Sequence, residues 1–356
     1  MKIRLWIVLA VAALGLVPAS AVPSVPAFAG VAPGDLAAAL ARAVADGYPG
    51  MVAYARRDGR ELRLAAGVAD QATGRPARPG DRFRIASNTK AFVATVVLQL
   101  AGEHRLRLDD PVARWLPWAR TTATVRQLLD HTSGIWDPTT EAGFWAPYLE
   151  RHDMDFVYHP RDLVLAALAH PPVPGYSNTN YLLAGLVIEA VTGRGFGAEL
   201  HDRLIRPLGL WHTSFPLTDP AIHGRHLHGY DLSGADVTRF SPSYDWTAGA
   251  MISTVDDLAR FHRALFGGRL LPPAQQRELA TIVHQVPVRC PAGPVPVWET
   301  DGGGPGFTSL AATTVDGTRQ LVLAGNVYDI GAELRGQSPV PGMAGQLAAL
   351  RAAICR

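Results

Sequence analysis

Residues 87–103 read SNTKAFVATVVLQLAGE, and the rest of the chain can be organised around this stretch. It is apolar almost all round, the pattern of a helix buried on most of its faces. Ser87 and Lys90 stand at its head, three residues apart, so on a helix they share one face and their hydroxyl and amine can meet. The chain carries 33 lysines and arginines, yet only Lys2 and Lys90 are lysine. A bias toward arginine explains the missing lysines but not the retained one. A serine hydroxyl is a poor nucleophile until a base takes its proton. Lysine can be that base once burial lowers its reference pKa of about 10.4, whereas arginine stays protonated. Read by itself, Ser-x-x-Lys is short enough to arise by chance.

Upstream, DLAAALARAVAD (35–46) has helical apolar spacing, and MVAYARR and ELRLAAGVA flank Asp58-Gly59 as a hairpin would. From about residue 105 to 245, helical periods alternate with Pro and Gly breaks, in LDDPVARWL, TVRQLLDHTSG, DLVLAALAH, NYLLAGLVIEAVTG and AELHDRLIRPLGL. STVDDLARFHRALFGG follows as a capped helix. FTSLAATTV and TRQLVLAGNV flank a second Asp-Gly turn, and GMAGQLAALRAAI closes the chain as a helix. Strands at both ends predict an α+β fold with one antiparallel sheet. The sheet lobe is expected over about 30–104 and 246–356, with an inserted helical lobe over about 105–245.

The N-terminus, MKIRLWIVLAVAALGLVPASA, has the basic start, apolar run and small-residue site of a secretory signal peptide spanning residues 1–21. Fold reasoning therefore begins near residue 30. Losing Lys2 and Arg4 with the leader would bring the formal net charge from +2 to zero, which leaves no electrostatic case for nucleic acid or anionic membrane. No later window has the run of about 18 apolar residues that a membrane span needs. A secreted, soluble, monomeric protein is expected. In that setting the two cysteines, Cys290 and Cys355, invite a disulfide tying the C-terminal helix to an upstream loop; two separate buried thiols are the alternative.

Two further segments carry chemistry. Tyr176-Ser177-Asn178 follows the breaker PPVPG; the tyrosine could relay a proton and the asparagine amide could hold substrate or lysine. Alone, it is as readily a packed tyrosine and a helix cap. Thr300-Asp301-Gly302-Gly303-Gly304-Pro305-Gly306-Phe307 precedes a strand, and its small residues would let an edge strand bring backbone N–H groups to a ligand. Otherwise it is a glycine turn. Trp246 reads as a cleft or core aromatic. His131 reads as bracing a turn, and His223, His226 and His228 lack the Glu or Cys partner that a metal site would use. There is no Gly-x-Ser-x-Gly elbow, His-Glu-x-x-His or Walker motif.

Ser87-x-x-Lys90, Tyr176-x-Asn178 and a late glycine-rich strand, in this order, resemble the serine β-lactamase and DD-peptidase superfamily, in its class C β-lactamase and actinomycete D-alanyl-D-alanine carboxypeptidase branch. LRLDDPVARWLP, PLGLWHTSFP and STVDDLARFHRALFGGRLLPP look like that family's connecting segments, so the resemblance spans nearly the whole presumed mature chain. It implies a β-lactamase/transpeptidase-like fold with the site between the lobes. It also implies Ser87 as acyl-enzyme nucleophile, Lys90 as base, Tyr176 as proton shuttle and Asn178 as a contact to substrate and lysine. Ser87 and Gly303 N–H groups would form the oxyanion hole, with Thr300, Gly302 and Trp246 toward substrate. No metal or organic cofactor is implied. The expected partner is a small D-alanyl-D-alanine peptide, a β-lactam or an ester, with a catalytically idle penicillin-binding or sensor homologue as the alternative to an enzyme.

Three departures from the family pattern stand beside this. Thr300 occupies the place of a family Lys or His, while Glu299 and Asp301 add negative charge. Gly175 abuts Tyr176, where more residues are usual. The strand before the cysteine loop is expected to be shortened, with QVPVRCPAGPVPVW in its place.

Overall fold

The computed structural model describes residues 33–355, so the expected leader at 1–21 lies outside the described residues. Strands β1 (Gly50–Arg57) and β2 (Arg60–Asp70) form the first hairpin. Asp58 and Gly59 between them both have positive φ, 50° and 83°, as a two-residue type I′ turn requires. The short β3 (Arg75–Pro76) pairs with β2; β4 (Phe83–Arg84) and β5 (Ile252–Ser253) form a separate two-stranded ladder. β6 (Gln285–Cys290), β7 (Gly293–Gly304), β8 (Phe307–Thr314) and β9 (Arg319–Gly325) follow one another antiparallel. The main sheet has seven strands in the order β3-β2-β1-β9-β8-β7-β6. The N-terminal hairpin thus joins the C-terminal strands through β1 and β9.

β1 explains why helices cover both faces. Its residues alternate between two cores: Met51, Ala53 and Ala55 join Leu36 and Leu40 of the helix Pro33–Ala45 and Ala349 and Ala353 of the helix Ala344–Ile354. Val52 and Tyr54 join Phe261 of the helix Val255–Phe266 on the other side. A period of two along the strand thereby feeds two layers of helix. The Ser87 stretch lies in the second core, where Phe92 of the helix Thr89–Gly102 stacks on Phe261 with ring centroids 3.5 Å apart. Thr254 caps the Val255–Phe266 helix by accepting from the Asp257 N–H.

Four expectations change. QVPVRCPAGPVPVW is a full β6–β7 hairpin, in which Pro287 faces Pro296. An edge strand tolerates the proline because its outer side has no ladder to complete. Cys290 is accordingly the last residue of β6, not a loop residue, and it is disulfide-bonded to Cys355 just beyond the final helix. The helical period of LDDPVARWL yields only the 3-10 turn Val112–Arg114. AELHDRLIRPLGL divides into the helix Phe196–Leu200, a widened π-type turn His201–Ile205 and a last turn Arg206–Leu208, where Pro207 has no N–H to give the preceding turn. Among the described residues no helix is long and apolar enough to cross a membrane.

Candidate active site

Ser87 sits on the 3-10 turn Ala86–Asn88, which runs directly into the Thr89–Gly102 helix. Ala86 before it has φ +44°, a conformation that non-glycine residues adopt at a cost of about 1–3 kcal/mol. The turn is held there by its surroundings: the Ile85 N–H donates to Met251 O, and Ser309 Oγ donates to Ile85 O.

Lys90, 7% exposed, points its amine at three acceptors: Ser87 Oγ at 2.9 Å, Asn178 Oδ1 at 2.7 Å and Ala248 O at 2.8 Å. The count matters. A neutral amine has two protons and one lone pair. With Asn178 and Ala248 accepting the two protons, the lone pair is left facing the serine. Burial pushes Lys90 down to about 8, and the negative charges of Asp245, Asp137 and Asp301 limit the fall.

The Asn178 amide is fixed from both ends, since its Nδ2 donates to Thr139 Oγ1 at 3.2 Å and its backbone N–H donates to Asp137 Oδ2 at 2.9 Å. Asn178 opens the helix Asn178–Thr192. Tyr176, just before it, brings its hydroxyl within 2.8 Å of Ser87 Oγ. The abrupt Gly175-Tyr176 junction therefore still delivers the phenol, through a glycine at φ +131°. The tyrosine as a whole is half exposed, but its hydroxyl lies deep enough in the cleft to be desolvated. That desolvation, with Asp245, Asp301 and Asp137 nearby, holds the phenol well above its usual range and hence protonated. Lys90 Nζ lies 4.9 Å from the centre of its ring.

The opposite wall is β7. β6 pairs with it only as far as Trp298, so the Glu299–Gly304 edge is free of a strand partner on that side and lies along the Ser87 turn. Gly302 makes the approach possible: a Cβ there would stand 2.2 Å from Ile85 O and 3.0 Å from Ser87 N. Thr300, on the same face of the strand, donates to Asn88 Oδ1 at 2.5 Å, and Asn88 Nδ2 donates on to Ser309 Oγ at 2.9 Å. Its hydroxyl is thus tied to the Ser87 turn. The pleat turns Asp301 and Gly303 to the other, exposed side.

Trp246 is only 6% exposed and packs near Phe215 in the core; its neighbour Asp245 is the residue that influences Lys90. Asp245 is buried, its Oδ1 has no hydrogen-bond partner, and desolvation pushes it up to about 6 against the pull of Lys90. His131 has φ +60° in its turn, as expected of a brace, and also stacks on Tyr176 at 4.3 Å. Its Nδ1 accepts from the Ser177 N–H, and burial followed by the Lys90 charge pushes it down to about 3, so it is neutral. Sequence reasoning missed Asn88, Asp137 and Asp245. Nothing local marks them; only the fold brings Asp137 and Asp245 to Lys90 and Asn88 to Thr300. His223 and His228 pair separately with Asp219 and Asp236, and the described residues contain no cluster of three or more His, Cys, Asp or Glu able to hold a metal.

This arrangement, a serine with a buried amine, a protonated phenol and a backbone-rich strand, can carry acyl transfer. Comparison with known proteins agrees. The structure superposes on the D-stereospecific amidohydrolase of a Streptomyces species with a TM-score of 0.76 and 35% identity, covering 90% of this chain and 98% of that one. The D-amino acid amidase of Ochrobactrum anthropi SV3 gives a TM-score of 0.74 at 26% identity, covering 89% and 97%. Esterase EstB of Burkholderia gladioli is 30% identical over 314 residues, 75% of this chain and 76% of EstB. The chain also matches Protein flp of Staphylococcus aureus (strain COL), but spans only 43% of its length. Residues 36–324 match the Beta-lactamase family, and the chain belongs to that family of serine hydrolases.

Proposed function

We propose that the chain is an exported serine hydrolase that cleaves amides, and esters of the same acids, whose acyl part carries a free ammonium group beside the scissile carbonyl. Neutral Lys90 takes the Ser87 proton as Oγ attacks the carbonyl carbon. The N–H groups of Ser87 and Gly303 receive the developing oxyanion. Tyr176 then gives its proton to the departing amine as the C–N bond breaks and recovers the proton that Lys90 had taken, leaving an ester on Ser87 that water hydrolyses. The observation that carries this is the buried Lys90 amine 2.9 Å from Ser87 Oγ, with Asn178 Oδ1 and Ala248 O as acceptors for the two protons of its neutral form, which leaves that form's lone pair for the serine.

The substrate class follows from charge. The D-alanyl-D-alanine carboxypeptidase and β-lactamase readings want a cation on β7 to meet a carboxylate. Thr300 stands there with its hydroxyl bound to Asn88, and Asp301 faces the open side. With Asp245 and Asp137 behind Lys90, the cleft suits a positively charged acyl group. The D-amino acid amidase and D-stereospecific amidohydrolase to which the chain is similar support this reading, and EstB keeps esters within it.

The test compares D-phenylalanine p-nitroanilide, its N-acetyl analogue and a fluorescent penicillin, with turnover followed by absorbance and adducts by intact mass. Turnover of the free amine, poor turnover of the acetylated compound and no reaction in Ser87→Ala are expected. Equal rates for the two anilides would overturn the ammonium reading. No hydrolysis and no adduct with any of the three would overturn the enzyme.

A further inference from the structure

We propose that a small chamber behind the Ser87 turn binds a monovalent anion of chloride size. The chamber has room for about one water-sized occupant, and its walls include Arg84, Ala86, Phe240, Tyr244, Gly304 and Phe307. Arg84 is 8% exposed. Its Nη2 donates to Pro220 O at 2.6 Å and to Thr238 O at 3.3 Å, but its buried Nε–H has no partner, and none of the ion pairs among the described residues includes it. A guanidinium taken out of water with no carboxylate in ion-pair contact is costly: burial lowers its proton affinity, and the more distant pull of Tyr244 and Asp219 offsets this only in part.

The chemistry of the walls selects the occupant. The polar side chains lining the chamber are Arg84 and Tyr244, a guanidinium and a phenol, both able to donate; the remaining walls are apolar residues and glycine. Burial holds the Tyr244 phenol protonated, well above its usual range. A water molecule would find donors for its lone pairs but few side-chain acceptors for its own protons, whereas a halide needs donors alone. Asp245, the carboxylate beside Tyr244, sets its Oδ2 against Gly249 on the chamber wall and makes no ion pair with Arg84. It opposes the anion, so binding is expected to be of millimolar strength. The site would brace Ala86 and Gly304, the residues next to Ser87 and Gly303, from behind.

The experiment measures Tm in sodium chloride against sodium gluconate at equal ionic strength, for the wild type, Tyr244→Phe and Arg84→Gln, and collects anomalous diffraction from crystals grown in bromide. The wild type is expected to gain about 2 °C at a tenfold excess of chloride over its Kd. The gain shrinks in Tyr244→Phe and vanishes in Arg84→Gln, and a bromide peak lies beside Arg84. If Arg84→Gln does not fold, Tyr244→Phe and the bromide peak decide. Equal gains in gluconate, or a water with no bromide peak in the chamber, would overturn the proposal whether or not the enzyme turns over amides.

Discussion

The two walls of the cleft are built on opposite principles. The helical wall works through side chains: Ser87, Lys90, Tyr176 and Asn178 are joined by hydrogen bonds of 2.7–2.9 Å, and each has its place set by the next. The β7 wall works largely by removing side chains, since Gly302 lets the backbone of the strand lie against the Ser87 turn. Under the proposed function, one wall carries the reaction and the other selects the substrate, through the few side chains it keeps.

The largest effect should come from the helical wall. Lys90→Arg keeps the charge but removes the base, and acylation by an activated D-amino acid ester, followed by stopped flow, is expected to fall about 10³–10⁴-fold. If it falls less than tenfold, the side-chain account of that wall breaks. Gly302→Val tests the opposite wall: its Cβ would collide with Ile85 O, and displaced oxyanion donors should cost about 10²–10³-fold in kcat. A crystal structure of the variant would show β7 moved away from Ser87.

Smaller effects sharpen the contrast. Asp301→Asn should lower the preference for a free over an acetylated amine by about tenfold, one exposed charge's worth, with kcat for neutral esters kept. The pH profile separates the walls again. Neutral Lys90 is the active form, so with a neutral ester, whose own charge does not titrate, kcat/KM should rise through a midpoint near pH 8 and level off above it. Ionised Asp245 is the strongest of the charges that hold the Lys90 pKa up, so Asp245→Asn should move that limb to lower pH, and Asp301→Asn should move it the same way by less. An unmoved limb would show that the Asp245 charge does not reach the amine. Least affected should be chemistry in Cys290→Ser with Cys355→Ser: the pair is expected to lose about 2–4 kcal/mol of stability, read by denaturant titration, with acylation little changed.

Much of the helical wall was legible. Ser87 and Lys90 are neighbours on one helix, so their meeting follows from spacing alone, and the apolar run after them declared its own burial. Tyr176 and Asn178 were legible as a pair, and their place beside Lys90 came from the family resemblance rather than from spacing, because the contact spans 88 residues and only the fold makes it. The hairpins around Asp58-Gly59 and Asp316-Gly317 were equally plain, because turn chemistry and alternation agree. The β6–β7 hairpin was not: prolines at 287, 294 and 296 hid a ladder that tolerates them. Asp245 and Asn88 left no local sign, since their roles depend on long-range placement.

The bond from Thr300 to Asn88 and the bare edge at Gly302 anchor β7 without help from the outward side chain at 301. That position can therefore be exchanged without shifting the groups that perform the reaction. A change of one nucleotide converts an aspartate codon to histidine or asparagine, so under the proposed function a lineage carrying this scaffold would alter the charge it accepts in a single evolutionary step. The acyl-transfer apparatus would be inherited whole, and the choice of substrate would become a separately heritable trait.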